Sequence, residues 1–254
     1  MKKRKELLII IPAYNEEKNI GALLEQLNKP EIAQIADVLV MNDASKDATE
    51  RKVREYGVNV VTHIFNLGYG SGLQTGYKYG VNNGYKYIIQ MDADGQHDVC
   101  NIFPIYEKLK EQDINGNAPD IVLGSRFVNG WKDYPTTSLK KVAYRLFESM
   151  IFLTTGKLFT DPTTGLQGLS REAFSFYAGF NNFDDQYPDA NMIMQMVLLG
   201  FRVVEIPAVM HLRTEGVSMH SGLKPVVYMF RMFFSMIAVW LRIKLFRVDA
   251  GVVR

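Results

Sequence analysis

Along its first half this chain alternates short, wholly apolar runs with helix-period stripes, and no other feature restricts its fold so tightly. Leu7–Ile11 is apolar throughout and ends at Pro12. Ile20, Leu23, Leu24 and Leu27 then fall at i, i+3, i+4 and i+7, the spacing of one buried helix face. Val38–Met41 reads as a second strand, and Asp47-Ala-Thr-Glu50 has the spacing of a capping box that opens a helix. Val58–Val61 follows, then a glycine-rich turn and a helix to about Val81, then strands at Tyr87–Met91 and Ile121–Leu123. Such alternation predicts an α/β fold, a mostly parallel Rossmann-like sheet flanked by helices and joined by right-handed crossovers. Ligands on such sheets bind at the carboxyl ends of the strands, so polar residues just after strands are the candidates for function.

The second half is patterned differently. Leu139, Val142, Leu146 and Met150 oppose Lys141, Arg145 and Glu148, which makes 139–153 amphipathic. Asp161-Pro-Thr-Thr-Gly165 is a turn-rich break, and a helix near 189–199 leads into a strand at Arg202–Ile206. A length of 254 residues suits one large domain or a domain with a subdomain. The net charge of +2 argues against the broad basic face of a nucleic-acid binder. Cys100 is the single cysteine, so no intrachain disulfide forms; it is expected as a buried structural thiol in a reducing compartment. Met1–Lys5 is basic like the start of a signal peptide, but the apolar run after it is too short and meets Pro12, so a cytoplasmic start is expected.

Asp92-Ala-Asp94-Gly-Gln96-His97-Asp98 directly follows the fourth strand. Two carboxylates at i and i+2 can both reach a hard divalent cation, with water and phosphate oxygens completing its shell. The bland alternative is an acidic turn that caps a helix. Asp43 stands at the end of the second strand, where a carboxylate can accept a hydrogen bond from a base or a ribose hydroxyl. Its neighbours Ser45 and Asp47 read as helix caps. Tyr14, in Pro12-Ala-Tyr14-Asn15-Glu16, could pack on a base. Asn66-Leu-Gly68-Tyr-Gly70-Ser-Gly72-Leu-Gln-Thr-Gly76 fails the dinucleotide fingerprint, because Leu73 or Thr75 falls where the third glycine belongs. These glycines are expected to permit a tight turn and close helix packing. Four histidines at non-zinc spacing, His211 and His220 among them, argue against a histidine-rich metal site.

In this order and spacing, Pro-Ala-Tyr-Asn-Glu, Asn-Asp-Ala-Ser-x-Asp, Asn-x-Gly-x-Gly and Asp-Ala-Asp-Gly-Gln-His resemble the family 2 inverting glycosyltransferases of the GT-A fold. Within that family the chain is most similar to the polyprenyl-phosphate sugar synthases, over roughly residues 6–220. The resemblance implies that Pro12, Tyr14, Glu16, Met41 and Asp43 hold the nucleoside. It implies that Asp92, Ala93 and Asp94 hold ribose, diphosphate and a Mg2+ or Mn2+ ion, with Gln96 as a further metal ligand. Arg126, in Gly124-Ser-Arg126, matches an arginine that contacts phosphate, and its fork of donors suits an anion. Arg213 lies in a late loop that would close over the diphosphate; the synthases usually carry Lys after the serine of that loop, where this chain has Met219. Asp161–Gln167 would line the acceptor side. Asp189 matches the place of a catalytic carboxylate, with a helix N-cap as its structural alternative.

Residues 226–246 are apolar, with Arg231, Ser235 and Arg242 making a narrow polar stripe. A spanning helix needs roughly 20 largely uncharged residues, so an interfacial helix fits better, and a buried core helix or dimer interface is the alternative. The expected organisation is a transferase domain over 1–222, with a nucleotide-sugar half (1–125) and an acceptor half (126–222), then a membrane-associated segment over 223–254. The expected activity is sugar transfer from a nucleoside diphosphate, more readily uridine, to a polyprenyl phosphate by a peripheral protein at the cytoplasmic face of the cell membrane. Rival readings are transfer to a hydroxyl of a lipid-linked or cell-surface saccharide, and a non-catalytic nucleotide-sugar-binding module.

Overall fold

The computed structural model describes residues 5–128, 138–211 and 224–245. Among them, seven strands form one sheet: β1 (Leu7–Ala13), β2 (Ala36–Asn42), β3 (Asn59–Thr62), β4 (Tyr87–Gln90), β5 (Ile121–Ser125), β6 (Gln167–Ser170) and β7 (Val203–Pro207). Their order is β3-β2-β1-β4-β6-β5-β7. β1 pairs parallel with β2 and β4, β2 with β3, and β5 with β7, as the alternating pattern predicts. β6 departs from that pattern. It lies antiparallel between β4 and β5. Four residues with a central glycine carry too little β-signal to be read as a strand.

The pleat explains the two cores. Along β1, Leu8 and Ile10 point to one face while Leu7, Ile9 and Ile11 point to the other. The second face is covered by α1 (Ile20–Leu27), a short α2 (Pro30–Ala33), α3 (Thr49–Glu55) and α5 (Ile102–Lys110). The first is covered by α4 (Tyr69–Asn82), α6 (Ser138–Thr155), α7 (Arg171–Ala178), α8 (Ala190–Leu198) and α9 (Lys224–Trp240), which runs on into one π turn, Leu241–Leu245. The four residues of the predicted α1 stripe are its four buried residues. In α4, a Cβ on Gly76 would stand 3.1 Å from Ile10, so this glycine does permit close helix packing.

The capping box forms differently. α3 starts at Thr49, with Ala48 at its N-cap, so Asp47 sits one residue too early. Asp47 instead accepts from the backbone and hydroxyl of Thr49, and Glu50 bonds Arg54 and Thr62 rather than reaching back.

α9 has two unlike faces. Met232 and Met236 are buried in the core. Val227, Phe230 and Phe234 are 55–62% exposed and form an apolar outer stripe with Ala238 and Leu245. The polar stripe faces the protein: Arg231 donates to Gln186 (2.7 Å), Ser235 accepts from Asn191 (2.8 Å), and Arg242 donates to the Asn181 carbonyl (2.9 Å) and Gln195 (3.1 Å). The core-helix reading therefore holds for the inner face, and the outer face is exposed and apolar. α6 also buries one face, through Ala143, Phe147 and Ile151, and exposes Val142, Leu146 and Leu153 beside Lys141 and Arg145. Among the described residues, no helix is long and apolar enough to cross a membrane.

Candidate active site

Hydrogen bonds tie together the loops that follow β1, β2, β3 and β4. Asn15, held at a φ of 55°, donates its N–H to Ser45 Oγ (3.0 Å) and accepts from Lys46 N–H (2.8 Å). Glu16 N–H donates to Thr49 (2.9 Å), and Glu17 exchanges bonds with Asp47 and Ala48. Tyr14 is exposed at this rim, while Pro12, Met41 and Ala93 are buried beneath it. The Glu16 carboxylate accepts from Asn19 (2.7 Å).

Asp43 is buried, and its carboxylate is engaged within the protein. Oδ1 bonds Leu67 N–H and His63 Nδ1, both at 2.8 Å, and Oδ2 accepts from Gly68 N–H at 2.9 Å. It thereby builds the glycine-rich turn ahead of α4, a use of Asp43 that spacing does not reveal.

Asp92 and Asp94 stand just past β4. Asp92 Oδ1 accepts from the Tyr69 hydroxyl (2.8 Å), and its backbone N–H donates to His97 Nδ1 (3.0 Å). Because Nδ1 accepts, the neutral imidazole carries its proton on Nε2, which lies 3.6 Å from Asp92 Oδ2. Burial lowers the His97 pKa against the opposing pull of Asp92, so the ring is neutral. Asp94 accepts from Gln96 N–H (3.1 Å) across Gly95. No group of three or more His, Cys, Asp or Glu could hold a metal among the described residues. The chain offers two carboxylates and the amide oxygen of Gln96, all hard oxygens. That donor set fits Mg2+ or Mn2+ completed by diphosphate and water, and does not fit a closed zinc site.

Arg126, past β5, is committed to a partner. Nε and Nη2 each donate at 2.6 Å to the carboxylate of Asp161, whose side chain is fully buried, and Nη2 also reaches Thr163 (3.2 Å). Phe127 and Tyr144 flank the guanidinium. Glu205 on β7 in turn accepts from the N–H groups of Thr160 and Asp161.

Asp189 immediately precedes α8, but its carboxylate makes no cap bond. Asn191 caps instead, accepting from the N–H groups of Asp189 and Met192. Asp189 Oδ2 accepts from the Tyr228 hydroxyl on α9 (2.6 Å). Desolvation, then the carboxylates of Asp92 and Asp184, raise its pKa to about 6, against the pull of Tyr228 and Arg126. The helix-cap alternative for this side chain therefore falls, and the structure brings Asp92, Asp189 and Arg126 within electrostatic reach of one another. Arg213, Ser218, Met219 and His220 lie outside the described residues.

One residue corrects the sequence reading. Cys100 is exposed, not buried, because it lies in the middle of a surface 3-10 turn, Val99–Asn101, capped by Asp98. Its thiol is pushed up to about 11 by desolvation and by Asp98, so it is no nucleophile at neutral pH. His211 pairs with Asp98 (2.7 Å) beside a cavity of about 500 Å³ between α1 and Gly95–Asp98. Neither Asp92, Asp94 nor Asp189 lines that cavity, although His97, which does, bonds the backbone of Asp92.

Comparison with known proteins converges on one family. The model of Glycosyl transferase family 2 matches residues 8–177. UDP-N-acetylglucosamine–dolichyl-phosphate N-acetylglucosaminyltransferase of Methanococcus voltae is 30% identical over 188 residues, covering 66% of this chain and 71% of its own. Dolichol-phosphate mannosyltransferase of Pyrococcus furiosus is 26% identical over 226 residues, 84% of this chain and 59% of its own. Glucosyl-3-phosphoglycerate synthase of Mycobacterium tuberculosis, solved with Mn2+, UDP-glucose and phosphoglyceric acid, shares the fold. Its TM-score is 0.65 at 16% identity, over 98% of this chain and 81% of that one.

Proposed function

This chain belongs to glycosyl transferase family 2, and on that premise we propose that it moves a sugar, with inversion, from a uridine diphosphate to a polyprenyl phosphate at the cytoplasmic face of the cell membrane. One observation carries the reading: Asp92, just past β4, and Arg126 lie within electrostatic reach of Asp189, and Asp189 is held by a helix whose outer face is apolar. A donor site and a lipid-facing element thus share one wall.

The named relatives support the acceptor, since one acts on dolichyl phosphate with UDP-N-acetylglucosamine and another is a dolichol-phosphate mannosyltransferase. Asp92, Asp94 and Gln96 would hold the divalent ion, which when bound offsets the negative charge that builds on the departing diphosphate. Pro12, Tyr14, Glu16, Met41, Asp43 and Ala93 would shape the nucleoside cleft, with buried Met41 and Ala93 serving through their backbone. Arg126, oriented by its bidentate fork with Asp161, is the guanidinium that would meet phosphate. Arg213 would close over the diphosphate. The outer faces of α6 and α9, apolar with Lys141, Arg145 and Lys244 exposed among them, suit the surface of an anionic leaflet.

A second reading has its own support. A carboxylate with a pKa of about 6 that caps nothing is placed for general-base work, and a saccharide hydroxyl needs a base where a phosphate does not. The test is incubation with UDP-N-acetylglucosamine or UDP-glucose and vesicles carrying polyprenyl phosphate, followed by mass spectrometry of the lipids. A glycosyl phosphate lipid is the expected product. Turnover only with a lipid-linked or polymeric saccharide promotes the hydroxyl acceptor, and binding of donor with no turnover at all leaves a nucleotide-sugar-binding module.

A further inference from the structure

The glycine-rich segment ahead of α4 and the turn ahead of β6 both end on one side chain, Asp92. Tyr69, the first residue of α4, donates its hydroxyl to Asp92 Oδ1 at 2.8 Å. Its ring reaches that point because the chain on either side of it, Gly68 to Ser71, presses against the chain at Asp184–Gln186. Gly68 has a φ of +100°, a Cβ on Gly70 would collide with the Asp184 carbonyl, and Ser71 N–H donates to the Asp185 carbonyl (3.0 Å). Any side chain at residue 70 would lift the segment and withdraw Tyr69.

The other oxygen of Asp92 faces Gly165. A Cβ there would stand 2.5 Å from Oδ2, so the carboxylate fits only because residue 165 has none. Gly165 is itself pinned: its carbonyl accepts from Gln90 (3.1 Å), and the preceding Thr164 bonds the Gly124 carbonyl (2.7 Å). With His97 holding the backbone of Asp92, the carboxylate is fixed on three sides.

We propose that Tyr69 and Gly165 are positioning residues for donor binding, clamping the Asp92 carboxylate in one orientation from opposite sides. The proposal rests on the reading of Asp92 as a ligand for the donor diphosphate and its cation. Groups that orient a metal-binding carboxylate typically contribute about 10- to 100-fold in affinity. Tyr69→Phe removes only a hydroxyl, and Gly165→Ala pushes on the same carboxylate from the other side, so the two variants test one claim independently.

The experiment is calorimetric titration of UDP, and of GDP in a parallel arm, into the full chain with Mn2+ present, with the Mn2+ electron paramagnetic resonance spectrum recorded alongside. Asp92→Asn is the reference, and circular dichroism with thermal melting confirms folding. The expected result is about 10-fold or greater weakening in each variant and a changed Mn2+ spectrum, with no further loss when Tyr69→Phe is added to Asp92→Asn. Wild-type affinity in both Tyr69→Phe and Gly165→Ala overturns the clamp and leaves the donor reading standing. Equal additional weakening by Tyr69→Phe with and without Asp92→Asn also overturns it, since the tyrosine would then act elsewhere. A wild-type chain that binds neither nucleotide with Mn2+ brings down the donor reading and the clamp with it.

Discussion

Asp189 is held where ionisation is disfavoured, and that placement has consequences for both stability and rate. Its folded pKa of about 6 exceeds the unfolded value near 3.9, so the folded state binds the proton more tightly. Stability therefore falls as pH rises from about 4 to about 6, and Asp189→Asn should stabilise the protein at pH 7 by about 1–3 kcal/mol, read from thermal melts. If the acceptor is a hydroxyl, the same substitution should lower the rate about 10²–10⁴-fold, and the wild-type rate should fall below about pH 6 as the base protonates. With a phosphate acceptor the loss should be small. Arg126→Ala is a poor companion test, because it leaves buried Asp161 unpaired at a cost of about 3–5 kcal/mol. Arg126→Lys keeps the charge and loses the fork, and should lower turnover on a phosphate acceptor at least 10-fold while the fold persists. Asp94→Asn should abolish transfer without altering circular dichroism, as should excess chelator; full turnover in either would sink the metal role. Asp43, Asp92 and Asp94 stood out as candidates because each follows a strand, whereas Asp189 precedes α8 and was marked only by the family resemblance. The partners were not legible: Tyr69 is 23 residues from Asp92, Asp161 is 35 from Arg126, and Tyr228 is 39 from Asp189. No local pattern joins residues that far apart.

At the scale of single elements, α9 makes the sharpest contrast between what periodicity tells and what it leaves out. The stripe of Arg231, Ser235 and Arg242 was readable, but its direction was not, since a polar stripe ordinarily faces water. Here it faces Gln186, Asn191, Asn181 and Gln195, and the apolar stripe is left outside. The two faces should therefore respond differently to substitution. Phe230→Ser with Phe234→Ser should leave the melting temperature nearly unchanged and lower binding to anionic vesicles at least 10-fold in co-sedimentation, given about 2 kcal/mol per buried aromatic. Met236→Ala, on the inner face, should cost about 2–5 kcal/mol of stability. Truncation after Leu223 removes both faces together, so it should destabilise the fold as well as release it from membranes. An unchanged vesicle affinity in the double serine variant would refute the lipid-facing role. β6 shows the opposite failure: its sheet position is fixed by β4 and β5 on either side, while its own four residues carry almost no strand signal.

Across the whole molecule, hydrophobic period marked the alternating strands and helices of the first half and their parallel pairing, but not α5, β6 or α7, nor the order of the strands. What period could not supply was the way the later helices fold back so that α8 and α9 close one side of the carboxylate cluster. That closure joins the apolar outer face of α9, through Tyr228, to Asp189. Seated on a bilayer by this face, the enzyme would search for a lipid acceptor in two dimensions. Its rate would then follow the mole fraction of acceptor within the vesicle surface, and diluting the acceptor with inert lipid at fixed total concentration would slow the reaction. Diluting the whole suspension with buffer, once all the protein is bound, would leave turnover per enzyme unchanged. A protein that met its acceptor from free solution would respond to bulk concentration instead, so initial rates along the two dilution series separate the cases.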